Sequence, residues 1–519
     1  YSDRSPQDLP ANRKQRNMKP RKVVIIGLDA LDSDLLSKFE DDLPNLGRLK
    51  KRSPHIEMKS VFPPDTPTAW ATIYTGLNPA EHGIIHFQDP LERVSTIATK
   101  EIDNTPIKGR TFWDHAGKHG KKVCVLYPQL GYPVWPVNGI LIGRSTSRYS
   151  DIEPVQAYPP SLSRKYDLSP LANIRAVPDP KLLPNYISRY KGLIAKEAEL
   201  GLHLYHEEVW DLFFMYSSAL DWIGHNLWMY FDEEDPSYPG PNPFQQVFGE
   251  FYRFYDQVVG KFMENISSDT KLIVMSDHGF GGRPFKLVNV NEVLRRNGFL
   301  VAKEQGERKG PYGLLEAAKA KLIEYVNKYG VGEIPSRVVH TVPALRKLFT
   351  SPFLIDWKRT QAYVLDLSGI KAYTYGGIMI NENAVRMEDY ETTRDSIIGI
   401  LSDLREPETG KTLFEWIRRR EEMYAGSHIK NYPDIIFNLK NGYGAGWAVQ
   451  EAVIGASSTH NIQSGSHKID TPVFLTPDVD QKELTRSNIA LEDVAPTILS
   501  LLGIEEDFGF DGKSLFGDV

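Results

Sequence analysis

A single cysteine, Cys124, is all that 519 residues offer. One thiol builds neither a disulfide framework nor a thiolate zinc cluster, so any metal site must use other donors. Cys124 lies inside the apolar run "VCVLYP" and reads as a buried strand residue. Long hydrophobic runs are also missing, and no stretch is apolar for long enough to cross a bilayer. Positive charge is not in excess. With a net charge of -6 there is no general attraction to nucleic acid, and no segment interleaves basic and aromatic residues as a recognition module does. No internal repeat or low-complexity tract is visible. The first residues carry no apolar signal core, and "RKQRNMKPRK" reads as a basic, disordered lead-in. A cytoplasmic location is the expectation, although a removed signal peptide would leave no trace.

What is present is a hydrophobic share of 41% and a charged share of 25%, the proportions of a soluble globular protein. Short Val- and Ile-rich runs recur between helix-length stretches: "KVVIIGLDA", "KVCVLYP", "GILIGRS", "DLFFMYSSALD", "KLIVMSDHG", "DIIFNLK" and "PVFLTP". Such runs, bounded by turn residues, fit strands covered on both faces, hence a mainly parallel sheet in an α/β fold. Patterns such as "DQVVGKFMENI" and "IALEDVAPTILSLLGI" supply the flanking helices. The rhythm changes after Gly282. From Arg283 to Met423 come amphipathic helices ("GLLEAAKAKLIEYVNKYG"), aromatic loops and the hairpin-like "AYTYGGIMINEN", until strand patterning returns at "YPDIIFNL". The expected organisation is a basic tail (1–21), a catalytic core in two parts (22–282 and 424–519) and an inserted cap (283–423).

In open α/β sheets, ligands bind beyond the carboxyl ends of the strands. Here "KVVIIGLDA" ends at Asp29, "DLFFMYSSALDWIGH" at Asp221 with His225 following, and "KLIVMSDHGF" at Asp277 and His278. His467 stands just before another strand in "SGSHKIDTPVFLTP". Each alone has a plainer reading: a helix cap for Asp29, a surface i,i+4 contact for Asp221 and His225, a satisfied loop histidine for His467. Their coincidence carries the argument. Three aspartates and three histidines suffice for two cations in mixed oxygen and nitrogen coordination, which suits zinc, with manganese or iron as alternatives.

A further candidate sits in "VFPPDTPTAWATIYTGLNPAEHGI". Thr66 stands between prolines where a helix begins. It either caps that helix by accepting from free backbone N–H groups or presents a nucleophilic hydroxyl at the helix's positive end. Thr72 and Thr75 fall within the helix and read as packing residues, Thr68 as a cap or substrate contact, and His82 as closing the turn that follows.

These segments resemble the alkaline phosphatase superfamily, in particular its type I phosphodiesterase/nucleotide pyrophosphatase branch. The likeness rests on "GLDALDSDLL", "TPTAWATIYTGLNPAEHGI", "ALDWIGH", "MSDHGFGG" and "GSHKIDTPVFL", with a closing "LEDVAPTILSLLGI…DGKSL". It implies a three-layer α/β core and two metal sites, one of Asp29, Asp277, His278 and the Thr66 hydroxyl, the other of Asp221, His225 and His467. His460 in "STHNIQ" competes for the last place. The implied cofactors are two divalent cations, zinc first and manganese second, and the implied partner is a small-molecule phosphoester. Thr66 would attack phosphorus to give a phospho-threonine that water then cleaves. One departure is Phe87, standing where nucleotide pyrophosphatases of this branch carry an asparagine that donates to a phosphoryl oxygen. His86, Gln88, a basic residue or backbone N–H groups would have to meet that charge instead. A sulfatase nucleophile motif is absent, and mutases with a related core use serine. The alternatives are a phosphotransferase or phosphomonoesterase on the same core, or a non-catalytic protein that retains the metals. Trp222, Trp228 and Tyr230 are candidates for stacking on a substrate, or core residues.

Overall fold

The computed structural model describes residues 22–85, 103–145, 154–174, 180–303, 355–365, 373–449, 451–457, 460–461 and 463–516. The basic lead-in, the helix expected at 313–330 and the positions of His86, Phe87 and Gln88 lie outside the described residues.

The elements used below are, in chain order, β1 (Lys22–Leu28), β2 (Val123–Leu126), β3 (Gly139–Arg144), β4 (Val155–Tyr158), β5 (Leu212–Ser217) and β6 (Thr270–Met275). They continue with β7 (Gly279–Gly282), β8 (Ala362–Leu365), β9 (Tyr375–Ile380), β10 (Phe414–Arg419), β11 (Ile435–Leu439), β12 (Gly465–Lys468) and β13 (Phe474–Leu475). The helices are α1 (Thr66–Thr75), α2 (Leu183–Glu207), α3 (Ala219–Phe231), α4 (Val247–Asn265) and α5 (Val494–Leu501).

Because side chains alternate across a strand, the apolar run of β1 feeds two cores. Val24, Ile26 and Leu28 join α2, α3 and α4 on one face of the sheet, while Val23 and Ile25 join α1 and α5 on the other. The result is helix–sheet–helix layering. The central sheet has the order β13-β6-β1-β5-β2-β3-β4. The inner pairings are parallel, and the edge strands β13 and β4 run antiparallel.

Helix α1 is fixed to this sheet by Trp70, which is fully buried and meets Tyr216 edge-on with ring centroids 5.1 Å apart. Burying a side chain of this size contributes about 2–3 kcal/mol. Gly27 of β1 makes the close approach feasible, since a Cβ there would stand 2.7 Å from the indole. Gly76, at φ 65°, ends the helix in a left-handed conformation and donates its N–H to Thr72. The start of α1 is thereby set over the strand ends.

A second, antiparallel sheet has the order β8-β9-β11-β10. Here the structure corrects two sequence readings. The run "DIIFNLK" supplies β11 of this sheet, not a central strand; its nearly continuous apolar character suits either site, and only pairing decides. The second sheet therefore runs past residue 423: β8, β9 and β10 lie before it and β11 beyond it. The segment "AYTYGGIMINEN" is not a hairpin: β9 pairs instead with β8 and β11.

Candidate active site

Parallel register puts the three acidic strand ends side by side. Leu28 of β1 lies opposite Ser217 of β5, and Gly27 lies opposite Met275 of β6. The residues that follow, Asp29, Asp221 and Asp277, emerge at the same edge of the sheet. His467 arrives from β12, which pairs antiparallel with β7 so that His467 faces Phe280. Its ring stacks on that of His278 with centroids 3.8 Å apart. Strand β12 can come this close to α3 because a Cβ on Gly465 would lie 2.3 Å from the carbonyl oxygen of Gly224.

Two groups of donors result, each with atoms within 4.8 Å of one another: Asp29, Asp277 and His278, and Asp221, His225 and His467. In the first, His278 Nε2 lies 3.4 Å from Asp29 Oδ1, 3.2 Å from Asp277 Oδ2 and 3.2 Å from Thr66 Oγ1. In the second, His467 Nε2 lies 2.9 Å from His225 Nε2 and 3.0 Å from Asp221 Oδ1, and His225 Nε2 is 3.2 Å from the same oxygen.

Each imidazole is oriented by main chain. His278 Nδ1 bonds the carbonyl of Gly279 at 3.1 Å, His225 Nδ1 that of Gly465 at 2.9 Å, and His467 Nδ1 that of Pro64 at 2.7 Å. A carbonyl only accepts, so each Nδ1 carries a proton and each Nε2 is turned toward the carboxylates. The carboxylates are held likewise by one oxygen each. Asp29 Oδ2 accepts from the Tyr216 hydroxyl, and Asp277 Oδ1 from the Ala30 N–H at 3.3 Å. The other oxygens, Asp29 Oδ1 and Asp277 Oδ2, are buried and make no hydrogen bond.

Burial dominates the electrostatics. It pushes Asp29 well above the usual carboxylate range, helped by repulsion from Asp277 and Asp221. Asp277 moves the same way, through burial and then Asp221. At Asp221 burial again works upward, but the charges and hydrogen bonds of His225 and His467 outweigh it and hold the carboxyl well below that range. Burial, then His467, drives His278 well below an ordinary imidazole.

Thr66 does not cap α1. Asp65 occupies the N-cap with extended backbone and makes no side-chain capping bond, and Thr66 is the first helical residue. Thr72 and Thr75 bond back to the carbonyls of Thr68 and Ala71. His82 accepts from the Ile84 N–H at Nδ1, so its Nε2–H faces the Thr72 hydroxyl at 2.9 Å. His460 stands apart from both groups, paired with Asp235 at 3.0 Å. A cavity of about 180 Å³ opens beside Thr66, with Asp29, Asp221, Tyr127, Arg144 and Trp222 in its wall. Of the three candidate aromatics only Trp222 reaches it; Trp228 packs on Phe231 and Phe248, and Tyr230 on Phe244. The residue most clearly missed from sequence is Tyr216. Its signal was present, a hydroxyl within the otherwise apolar run "LFFMY".

The profile described as Type I phosphodiesterase / nucleotide pyrophosphatase matches residues 23–452, which span the first four segments above, the second sheet and the central sheet apart from its edge strand β13. The chain belongs to the type I phosphodiesterase/nucleotide pyrophosphatase family. Members of this family are hydrolases of phosphoesters, and the alkaline-phosphatase-like core described above is theirs. No curated protein sequence matches the chain. Among solved structures, phosphonoacetate hydrolase from Sinorhizobium meliloti 1021, in complex with phosphonoformate, is similar with a TM-score of 0.52 at 14% identity, over 93% of this chain and 96% of its own. An inactive murine ectonucleotide pyrophosphatase/phosphodiesterase 5 in complex with AMP is similar with a TM-score of 0.51 at 13% identity, over 95% of this chain and 97% of its own. At these identities the likeness is one of fold. Among the described residues no helix is long and apolar enough to cross a membrane.

Proposed function

We propose that this member of the type I phosphodiesterase/nucleotide pyrophosphatase family hydrolyses small-molecule phosphoesters with Thr66 as nucleophile and two divalent cations as cofactors. One cation would be held by Asp29, Asp277, His278 and the Thr66 hydroxyl, the other by Asp221, His225 and His467. The observation that carries this reading is the convergence of donor atoms: His225 Nε2 and His467 Nε2 face each other at 2.9 Å, and each lies within 3.2 Å of Asp221 Oδ1. Two imidazole nitrogens so placed repel whether both carry a proton or neither does, and a cation between them would remove the repulsion. The donor separations also fit, because ligands about 2.0–2.1 Å from a tetrahedral ion stand about 3.3 Å apart. The buried, unbonded oxygens of Asp29 and Asp277 point the same way, since such atoms are costly without a partner. Nitrogen and oxygen donors without thiolate suit zinc best, with manganese second.

When bound, the cations would supply the positive charge that lowers the pKa of the Thr66 hydroxyl and offsets charge on the phosphoryl oxygens. The protein's own part is positional. Pro64 holds His467 through its carbonyl, and Pro67 fixes the first turn of α1 behind the hydroxyl. The Thr66 oxygen would form a bond to phosphorus as the ester oxygen leaves, and the positive end of α1 would favour the anionic group there. Water would then cleave the phospho-threonine, returning the hydroxyl. The phosphonate and nucleotide ligands named for the two similar structures carry the same kind of group. The second sheet, three of whose four strands lie within the expected cap, is the element we assign to substrate selection.

The test is Thr66→Ala assayed on an aryl phosphodiester with added zinc. Turnover should be abolished, and unchanged turnover would remove Thr66 as nucleophile. In parallel, Asp277→Ala should lose zinc as well as activity by elemental analysis; full zinc occupancy in that variant would contradict the ligand assignment.

A further inference from the structure

The loop that delivers Thr66 is gripped from an unexpected quarter. Between β10 and β11 of the second sheet, the connecting segment folds back over the central domain. Its Tyr424 hydroxyl accepts the N–H of Phe62 at 2.8 Å, and its Tyr432 hydroxyl donates to the carbonyl of the same Phe62 at 2.6 Å. Both main-chain polar groups of one residue are therefore held by side chains of the segment that joins two strands of the second sheet. The Phe62 ring is boxed as well, edge-on to Tyr375 at 5.5 Å and to Trp416 at 5.0 Å. From Phe62 the chain reaches Thr66 through Pro63, Pro64 and Asp65, and the two proline rings fix φ and restrict the link's freedom to bend.

The same segment also holds the far side of α1. Asn78 donates to the carbonyl of Ala425 at 3.0 Å, the N–H of His428 bonds the carbonyl of Ala80 at 2.8 Å, and the N–H of Ser427 bonds Glu81 at 3.1 Å. Gly426 permits this contact, since a Cβ there would lie 2.5 Å from the main chain of Ala80. One strap thus spans the approach to α1 and the turn beyond it.

We infer that Tyr424 and Tyr432 are positioning residues for the Thr66 hydroxyl, coupling the second sheet to the reacting centre. This rests on the reading of Thr66 as nucleophile. Neither tyrosine is among the residues that line the cavity beside Thr66, so neither contributes a reacting group. Their effect is on where the hydroxyl stands. A misplacement of about 1 Å at a reacting atom lowers a rate by about a hundred-fold, and loss of one of two anchors should cost about ten-fold.

The experiment compares Tyr424→Phe, Tyr432→Phe and the double variant with the wild-type chain. The probe is bis-(para-nitrophenyl) phosphate with added zinc, and kcat is expressed per zinc-loaded chain. Each single variant should lose about ten-fold in kcat, and the pair more, with KM held within about two-fold. A merely structural role would lower zinc content and the unfolding temperature but leave kcat per loaded chain at the wild-type value; that result overturns the inference. Tyr432 is fully buried and Tyr424 only partly so; if Tyr432→Phe does not fold, Tyr424→Phe alone decides. Thr66→Ala separates the two readings. If it is inactive while the tyrosine variants keep full kcat, only the positioning role falls; if it keeps turnover, the nucleophile reading fails first and the positioning role with it.

Discussion

Replacing Tyr216 by phenylalanine removes a single oxygen and should weaken one of the two proposed cation sites selectively. Tyr216 is buried, and its hydroxyl donates to Asp29 Oδ2 while its ring packs on Trp70. Phenylalanine keeps the ring contact, so the core should hold. What is lost is one hydrogen bond to an ionised group, worth about 1.5–3 kcal/mol, or about 10–100-fold in affinity. That range agrees with what loss of an orienting partner behind a metal ligand typically costs, about 10–100-fold. The bond also favours the charged form of Asp29, against burial and the neighbouring Asp277 and Asp221. Without it the carboxyl holds its proton more tightly, so protons should compete better and the loss of affinity should grow as pH falls. The assay is a zinc titration against a chromogenic chelator, at mildly acid and mildly alkaline pH, resolving two binding steps. One step should weaken and the step assigned to Asp221, His225 and His467 should stay. Equal weakening of both steps, or affinity within about two-fold of wild type at both pH values, would refute the reasoning.

Two further outcomes test the surrounding structure. Gly465→Ala places a methyl 2.3 Å from the Gly224 carbonyl, and this overpacking should cost about 1–3 kcal/mol by chemical denaturation together with weaker zinc binding; an unchanged midpoint would show that β12 and α3 can part freely. His82 is held neutral by burial, with its pKa lowered to about 3. Its folded value lies below its unfolded one, so the native state binds fewer protons and stability should fall as pH drops from about 6.5 toward 3. His82→Gln should flatten that acid limb by up to about 1.4 kcal/mol per pH unit; identical slopes in the two proteins would remove His82 as a contributor.

The central sheet was legible in the sequence because its strands are buried on both faces, and continuous apolar runs such as "KVVIIGL" leave little choice of environment. The acidic residues were legible for a related reason: a carboxylate within a few residues of the end of such a run leaves the sheet at that end. Strand β11 was misassigned because "IIFNL" is as apolar as a central strand, and its partners lie in distant segments. The cap reading of Thr66 stayed open beside the nucleophile reading because Asp65 and Thr66 are both good capping types, and the choice between them depends on backbone angles. The grip of Tyr424 and Tyr432 left no mark at all, since two tyrosines in a loop have no period or spacing that reports a main-chain partner far away in sequence.

The three site imidazoles are steered by Gly279, Gly465 and Pro64 through peptide oxygens, not through side chains. A peptide oxygen survives a point substitution at its own position wherever the main chain keeps its path, a condition that a side chain at Gly279 or Gly465 would break. The aim of these rings is therefore insulated from ordinary sequence drift, and a lineage could exchange most neighbouring residues without unseating them. What it could not tolerate is an insertion or deletion that shifts the polypeptide path at those three places.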